Sequence, residues 1–284
     1  MAAVRIVGKE IAEEIRQQLT QETADLKQKG ITPSMSLILV GDAQDSALYV
    51  RTKAKACESV GAFAETHHLP EDTAIEQLLA LIDKLNRDDS VHGILVQLPL
   101  PHHLHQYENQ VLDAILPVKD IDALHPVNLG NLLIGNKCYW GVTANACIKI
   151  LEKQGIDFKG KHAVVVGFGI EVGKPITLML FEKGAIVTLV NPAEDFAPYT
   201  RQADIVVTEV ARPRAITGDM LKPGAIVIDT GSNWVDGKSV GDVDYDSAVE
   251  VAGAITPVPG GLGPVRIIML IYNLLIAAKD KAEA

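Results

Sequence analysis

The chain has 284 residues, 48% hydrophobic and 22% charged, the composition of a globular protein with room for two domains or one large one. Its formal net charge of −10 argues against a nucleic-acid or membrane-surface partner, since both need a basic face, and an anionic substrate has to be met by a local basic patch instead of the global field. Cys57, Cys138 and Cys147 follow no zinc or redox spacing, and the N-terminus lacks the apolar core of a signal peptide. No run approaches the ~18 apolar residues of a spanning helix. A cytoplasmic protein is expected, with no membrane or nucleic-acid partner.

In chain order, Ile11, Ile15, Leu19 and Leu26 share one face of a helix over 8–29, which Gly30 ends. Ser34–Val40 reads as a buried strand, after which Asp45 or Ser46 caps a helix running to about Ser59. Strands over 62–69 and 92–97 flank a Leu-rich helix over 74–87. This is the alternation of an α/β protein with a parallel sheet and right-handed crossovers. From Pro99 to about Ala123 the pattern loosens. His102, His103 and His105 stand there without a carboxylate or cysteine at ligand spacing, so they read as solvated loop histidines and no metal is expected.

A second unit starts near residue 143 with a helix over 144–154 and the strand His162–Val166. Gly167, Gly169 and Gly173 follow, then a helix to about Lys183 and strands over 185–190, 204–207 and 225–229. That is half or more of a dinucleotide-binding fold. Glycines directly after a buried strand let a pyrophosphate approach the backbone and the following helix N-terminus. The spacing is G-x-G-x-x-x-G, however, and the carboxylate expected to hold a ribose hydroxyl after the next strand is replaced by Asn191-Pro192. A turn that merely lets helix and strand pack closely remains the alternative. The last helix, about 265–280, is apolar on most sides and is expected to pack back on the first unit.

The chemistry concentrates in Tyr49-Val-Arg-Thr-Lys53 and in Gln97, at the end of Gly93-Ile-Leu-Val. Tyr49 and Lys53 are one turn apart on one helical face. Gln97 stands at the carboxyl end of a strand, where open α/β sheets place ligands. A phenol, an amine and a carboxamide in one cleft can bind a flat polar ring and move protons on it. The alternative for the helical pair is an ordinary amphipathic helix with a snorkelling lysine.

With these residues, the chain resembles the bifunctional methylenetetrahydrofolate dehydrogenase/cyclohydrolase (FolD) family over essentially its whole length. The matching motifs are Tyr49-x-x-x-Lys53-x-Lys55-Ala-Cys-Glu, Gly93-Ile-Leu-Val-Gln97-Leu-Pro-Leu-Pro101 and Lys119-Asp-Ile-Asp122. Gly241-Asp-Val243 and Ile255-Thr-Pro-Val-Pro-Gly-Gly-Leu-Gly-Pro264 match as well. The resemblance implies a two-domain α/β protein. An N-terminal α/β folate-binding domain, 1–140, is completed by the C-terminal helix 265–284, and a Rossmann-like NAD(P)-binding domain spans 141–264. It implies oxidation of 5,10-methylenetetrahydrofolate and hydrolysis of the methenyl product to 10-formyltetrahydrofolate, in a homodimer. It also implies Lys53 as the acid–base group, Tyr49 stacked on the folate, Gln97 positioning the lysine and Asp122 gripping the pterin. Pro259, Gly260 and Gly261 fall to the substrate, and Gly167, Phe168, Gly169, Gly173 and Ser232 to the cofactor. A free lysine has a pKa of ~10.4, so a base near neutrality must sit ~3 units lower, the direction in which partial burial beside a cationic intermediate pushes.

The departures from the family lie on the cofactor side. Phe168 replaces the arginine and Gly169 the serine of Gly-Arg-Ser, and Asn191-Pro192-Ala193-Glu194 replaces His-Ser-x-Thr. Glu209-Val-Ala-Arg-Pro213 replaces Ala-Val-Gly-Lys-Pro, and Ala123 takes the usual glycine after Asp122. Determinants of a 2′-phosphate are thus missing, while Glu194 and Asp195 add repulsion. NADP follows from the resemblance, yet these residues suit NAD or no dinucleotide. A cyclohydrolase alone, or a non-catalytic paralogue binding folate or a partner, stand as alternatives.

Overall fold

The structure, a computed structural model, describes residues 3–283; Met1, Ala2 and Ala284, which the expected first domain includes, lie outside them. The first half runs β1 (Val4–Arg5), α1 (Gly8–Gln28), β2 (Ser34–Val40), α2 (Gln44–Ser59), β3 (Phe63–Leu69), α3 (Ile75–Arg87), β4 (Gly93–Val96), α4 (Glu108–Asp113) and α5 (Pro126–Ile134). Next come α6 (Val142–Lys153), β5 (His162–Val166), α7 (Gly173–Glu182), β6 (Ile186–Val190), α8 (Ala197–Thr200), β7 (Ile205–Thr208) and β8 (Ile226–Asp229). The chain ends with β9 (Asn233–Val235), β10 (Lys238–Val240), α9 (Tyr245–Ala248), β11 (Ala254–Ile255) and α10 (Leu262–Glu283).

Two compact units result. One comprises Glu14–Trp140 and the chain from Ile267 onward; the other comprises the chain through Glu13 and Gly141–Arg266. The grouping of the N-terminal residues differs from the expected 1–140 and has a local cause. Strand β1 pairs in parallel with β11, and the Gly8 amide donates to the Gly260 carbonyl at 3.0 Å. A Cβ at Gly8 would collide with the Gly261 carbonyl, so only glycine lets α1 start there.

In the first of these units, β2 lies between β3 and β4 in a parallel three-stranded sheet. Ile38, Val40, Leu78, Ile82, Leu85, Ile94 and Val96 form a core between sheet and α3. The predicted face of α1, Ile11, Ile15, Leu19 and Leu26, is buried. Helix α10 buries Ile268, Met269, Leu270, Ile271, Leu274 and Leu275. It anchors to the same unit through Asn273, which donates to the carbonyls of Ile121 at 2.8 Å and Trp140 at 3.0 Å. By length and composition this helix could also cross a membrane, but 61% of its apolar window is buried inside the protein, as in a core helix. The loose stretch after Pro99 holds α4 and, beyond it, α5, neither of which periodicity resolves. His103 lies 3.1 Å from the Thr73 carbonyl, and among the described residues no group of three or more His, Cys, Asp or Glu is disposed to hold a metal ion.

The other unit is a parallel six-stranded sheet in the order β1-β11-β8-β7-β5-β6, with Val164, Val166, Val206, Val227 and Ile255 in its core. The β9–β10 hairpin, turned by Asp236-Gly237 with positive φ at both, was not expected.

Burial predicts the thiol chemistry. Cys57 is buried with Sγ 3.3 Å from the Phe63 carbonyl. Desolvation, with the Glu58 charge, pushes its thiol up to about 12. Cys147 is wholly buried and shifted upward by desolvation, whereas Cys138 is partly exposed. A thiolate-directed reagent is therefore expected to label Cys138 alone in the native protein and all 3 cysteines after denaturation. Native labelling of Cys57 as fast as Cys138 would contradict this packing.

Candidate active site and dinucleotide loop

Helix α2 begins at Gln44 after Ala43, without a side-chain cap, two or three residues earlier than a cap at Asp45 or Ser46 would set. Tyr49 and Lys53 lie mid-helix on one face, Tyr49 43% exposed and Lys53 half-buried. The Gln97 amide N–H donates to the Ile38 carbonyl at 2.9 Å, so Gln97 continues the β4 ladder and is buried at its carboxyl end. Lys53 Nζ donates to Gln97 Oε1 at 3.0 Å, and Gln97 Nε2 donates to the Leu98 carbonyl at 2.5 Å. A protonated lysine can only donate, so the amide oxygen faces it, and the bond to Leu98 locks that orientation. One ammonium N–H is thereby held on a fixed acceptor.

Asp122 stands in a loop written by its neighbours. Asp120, 2% exposed, accepts from the amides of Ala123 at 3.1 Å and His125 at 2.8 Å and from Asn128 Nδ2 at 3.0 Å. Burial outweighs these bonds and raises its pKa. Lys119 Nζ is buried and donates to the carbonyls of Leu85 at 2.9 Å and Asp88 at 2.7 Å, satisfying the end of α3. Asn273 holds the Ile121 carbonyl from the other side. Ala123, where the family has glycine, sits at φ 61, a left-handed conformation that costs an alanine ~1–2 kcal/mol. Asp122 itself is half-buried. Sequence reasoning singled out Asp122 and passed over Asp120 and Lys119, although an Asp and a Lys inside an otherwise apolar stretch signal buried polar roles.

The glycine loop lies in the other unit. Gly167 turns at φ 119 directly after β5, and a Cβ on Gly173 would collide with the Gly167 carbonyl. What occupies the loop is unexpected. Oε2 of Glu209, which follows β7, accepts from the amides of Gly169 at 2.6 Å and Gly173 at 3.0 Å. Phe168 is 55% exposed, with Lys174 Nζ 5.3 Å from its ring centre. In the loop after β6, Asp195 Oδ1 accepts from the Ala197 amide at 3.1 Å, so it serves as a turn acceptor for α8. Arg212 reaches the Pro192 carbonyl at 2.7 Å.

Ser232 is exposed, at the start of the β9–β10 hairpin. Two buried aspartates brace that region. Asp229 accepts from the amides of Gly231, Asp242 and Val243, and Asp242 accepts from Val210 and Asn233. Burial holds Asp229 up at about 6. Pro259 and Gly260 are exposed and Gly261 is buried; a Cβ on Gly261 would meet Thr256 Cβ at 2.6 Å, so packing alone requires that glycine. Of the predicted residues, the structure thus joins Lys53 to Gln97 directly and sets Tyr49 on the same helical face. The cofactor and Pro-Gly-Gly residues belong to the other unit.

The sequence profile of the tetrahydrofolate dehydrogenase/cyclohydrolase catalytic domain matches residues 6–122, and that of the family's NAD(P)-binding domain matches residues 141–282. The bifunctional protein FolD of Moorella thermoacetica is 50% identical over 281 residues, 98% of this chain and 100% of the relative. Among solved structures, the bifunctional FolD enzyme of Campylobacter jejuni superposes with a TM-score of 0.94 at 41% identity, covering 98% of this chain and 99% of that one. The Trypanosoma brucei methylenetetrahydrofolate dehydrogenase-cyclohydrolase, solved with NADP cofactor and inhibitor, gives 0.93 at 38% identity and covers 100% of both chains.

Proposed function

The chain belongs to the tetrahydrofolate dehydrogenase/cyclohydrolase family, and on that premise we propose that the Lys53–Gln97 pair is its acid–base centre. It is an enzyme of one-carbon folate metabolism, oxidising 5,10-methylenetetrahydrofolate and hydrolysing the methenyl product to 10-formyltetrahydrofolate. In the hydrolysis, neutral Lys53 takes a proton from the water that attacks the bridging carbon. It returns that proton to N5 as the N5–carbon bond breaks, and the remaining hydroxyl proton leaves as the formyl carbonyl forms. The observation that carries this is the 3.0 Å bond from Lys53 Nζ to Gln97 Oε1, which ties Nζ to an acceptor whose orientation the Leu98 carbonyl sets. Tyr49 lies flat on the folate, Asp122 grips the pterin, and Pro259, Gly260 and Gly261 border the substrate.

A bound nicotinamide supplies the hydride acceptor. Gly167, Phe168, Gly169, Gly173 and Ser232 are the residues assigned to the dinucleotide. The glycines and the α7 N-terminus suit an anion in kind, but as arranged the Glu209 carboxylate already holds two of the loop amides. Recognition of a 2′-phosphate is not supported by Phe168 and Pro192, which bring no charge or donor. The reading extends to a cytoplasmic location and, as the family resemblance implies, to a homodimer.

Two measurements test it. Methenyltetrahydrofolate hydrolysis is expected without any dinucleotide; its absence would refute the acid–base assignment. In titrations, NAD and NADP are expected to bind weakly and alike. Low-micromolar NADP with NAD at least ~10-fold weaker, ~1.4 kcal/mol, would show another group reading the phosphate. Phe168→Arg with Pro192→Ser is expected to shift preference toward NADP by ~2 kcal/mol or more.

A further inference from the structure

Glu209 is a departure from the family that the structure turns into a contact with the glycine-loop amides. Its amide donates to the Val166 carbonyl at 2.6 Å, which registers Glu209 beside the glycine strand. The next residue, Val210, donates to buried Asp242 at 2.7 Å, so the backbone on both sides is held. The side chain then reaches the loop, where a single oxygen accepts from Gly169 and from Gly173, the first residue of α7. Each glycine of the loop accommodates it or its surroundings. A Cβ on Gly167 would collide with the Glu209 carbonyl, and one on Gly169 with the Glu209 carboxylate. An alanine, as the family has here, could make none of the side-chain contacts.

Backbone amides at the start of a helix after a glycine turn are the groups that receive a pyrophosphate in this class of fold. A carboxylate and a phosphate cannot share the same two N–H groups, and their like charges repel. We infer that Glu209 is a resident anion that competes with the dinucleotide pyrophosphate for the amides of Gly169 and Gly173, and so sets the affinity of this chain for its cofactor. The inference rests on the reading that this loop receives the dinucleotide. The competition acts on the pyrophosphate, common to NAD and NADP, so it weakens both by the same factor. That separates it from discrimination at the 2′-position. Binding requires the Glu209 side chain to swing off the loop, because its backbone is pinned.

The test is calorimetric titration of the full chain with NAD and NADP, comparing wild type, Glu209→Ala and Glu209→Gln. Glu209→Ala is expected to tighten both dinucleotides equally, by about tenfold or more, since the displaced bonds are charge-assisted. Glu209→Gln keeps a neutral oxygen for the amides and is expected to give a smaller gain of the same sign. It carries the test if the alanine variant folds poorly. A third variant adds Phe168→Glu, at an exposed loop position, to Glu209→Ala and is expected to reverse much of the gain. If neither Glu209 variant changes affinity by more than about twofold while Phe168→Glu weakens it, the loop holds the dinucleotide but Glu209 does not compete, and the inference is overturned. If none of the variants changes affinity, the loop does not hold the dinucleotide, and the reading falls together with the inference.

Discussion

Lys53→Met is expected to lower methenyltetrahydrofolate hydrolysis by ~10²–10⁴, the usual worth of a positioned acid–base group, while leaving the fold in place. Methionine keeps the length of the stem and its contacts along α2 but can neither accept nor return a proton. The stability cost is expected to stay near ~1 kcal/mol, because Lys53 is only half-buried and makes a neutral-acceptor bond to Gln97. Gln97→Leu offers the complementary reading. It removes the oxygen that orients Nζ without removing the base, so a smaller loss of rate is expected. A stopped-flow assay of the variants, with circular dichroism as the fold control, decides the matter. Lys53→Met retaining a tenth or more of the wild-type rate would mean that another group handles the protons.

How far the sequence carries this picture depends on what each signal reports. Apolar period located α1 and the buried strands, because Ile11, Ile15, Leu19 and the valines of β5 and β7 bury the faces that the pattern presents. The pairing of Lys53 with Gln97 was legible as well, since i, i+4 spacing and a strand terminus are local rules. Helix α5 has little amphipathic pattern, yet its punctuation is plain: Pro126 at the first position, His125 accepting from the Val127 amide, and Gly135 in the left-handed region after its end. The β9–β10 hairpin was likewise written in Asp236-Gly237, a dipeptide that suits a tight hairpin turn.

Glu209 is a different kind of omission. Its partners, Gly169 and Gly173, are far away in sequence, and only the adjacency of β7 to β5 brings them together. The substitution of an acid for a family alanine was visible; the amides that it would hold were not. The same long-range pairing hides the roles of Asp229 and Asp242, because a buried carboxylate reads as an ordinary loop acid until its amide donors are known.

Asp120→Ala is expected to destabilise the unit that carries α2 and β4 by ~2–4 kcal/mol and to weaken folate binding at the same time. The carboxylate gathers three donors, the amides of Ala123 and His125 and the Asn128 side chain. Leaving buried donors without an acceptor costs ~1–3 kcal/mol apiece, partly offset because burying the ionised carboxyl was itself unfavourable. The sign of that offset follows from the raised pKa of Asp120. Its folded value lies above the unfolded one, so its stabilising contribution is fully present below the unfolded value and falls as pH rises through the folded one. The gap between wild type and Asp120→Ala is therefore expected to narrow as pH rises through that window. The functional effect follows from the loop. Asp120 and Asn273 restrain the segment in which Ala123 holds a left-handed conformation, and Asp122, within that segment, is expected to take its placement from the turn. Urea titrations at mildly acidic and at neutral pH, with KM for the folate substrate measured alongside, test both halves. Wild-type stability in the variant would show that Asp120 does not organise the turn. A destabilised variant with unchanged KM would remove Asp122 from the substrate site while leaving the structural role of Asp120 intact.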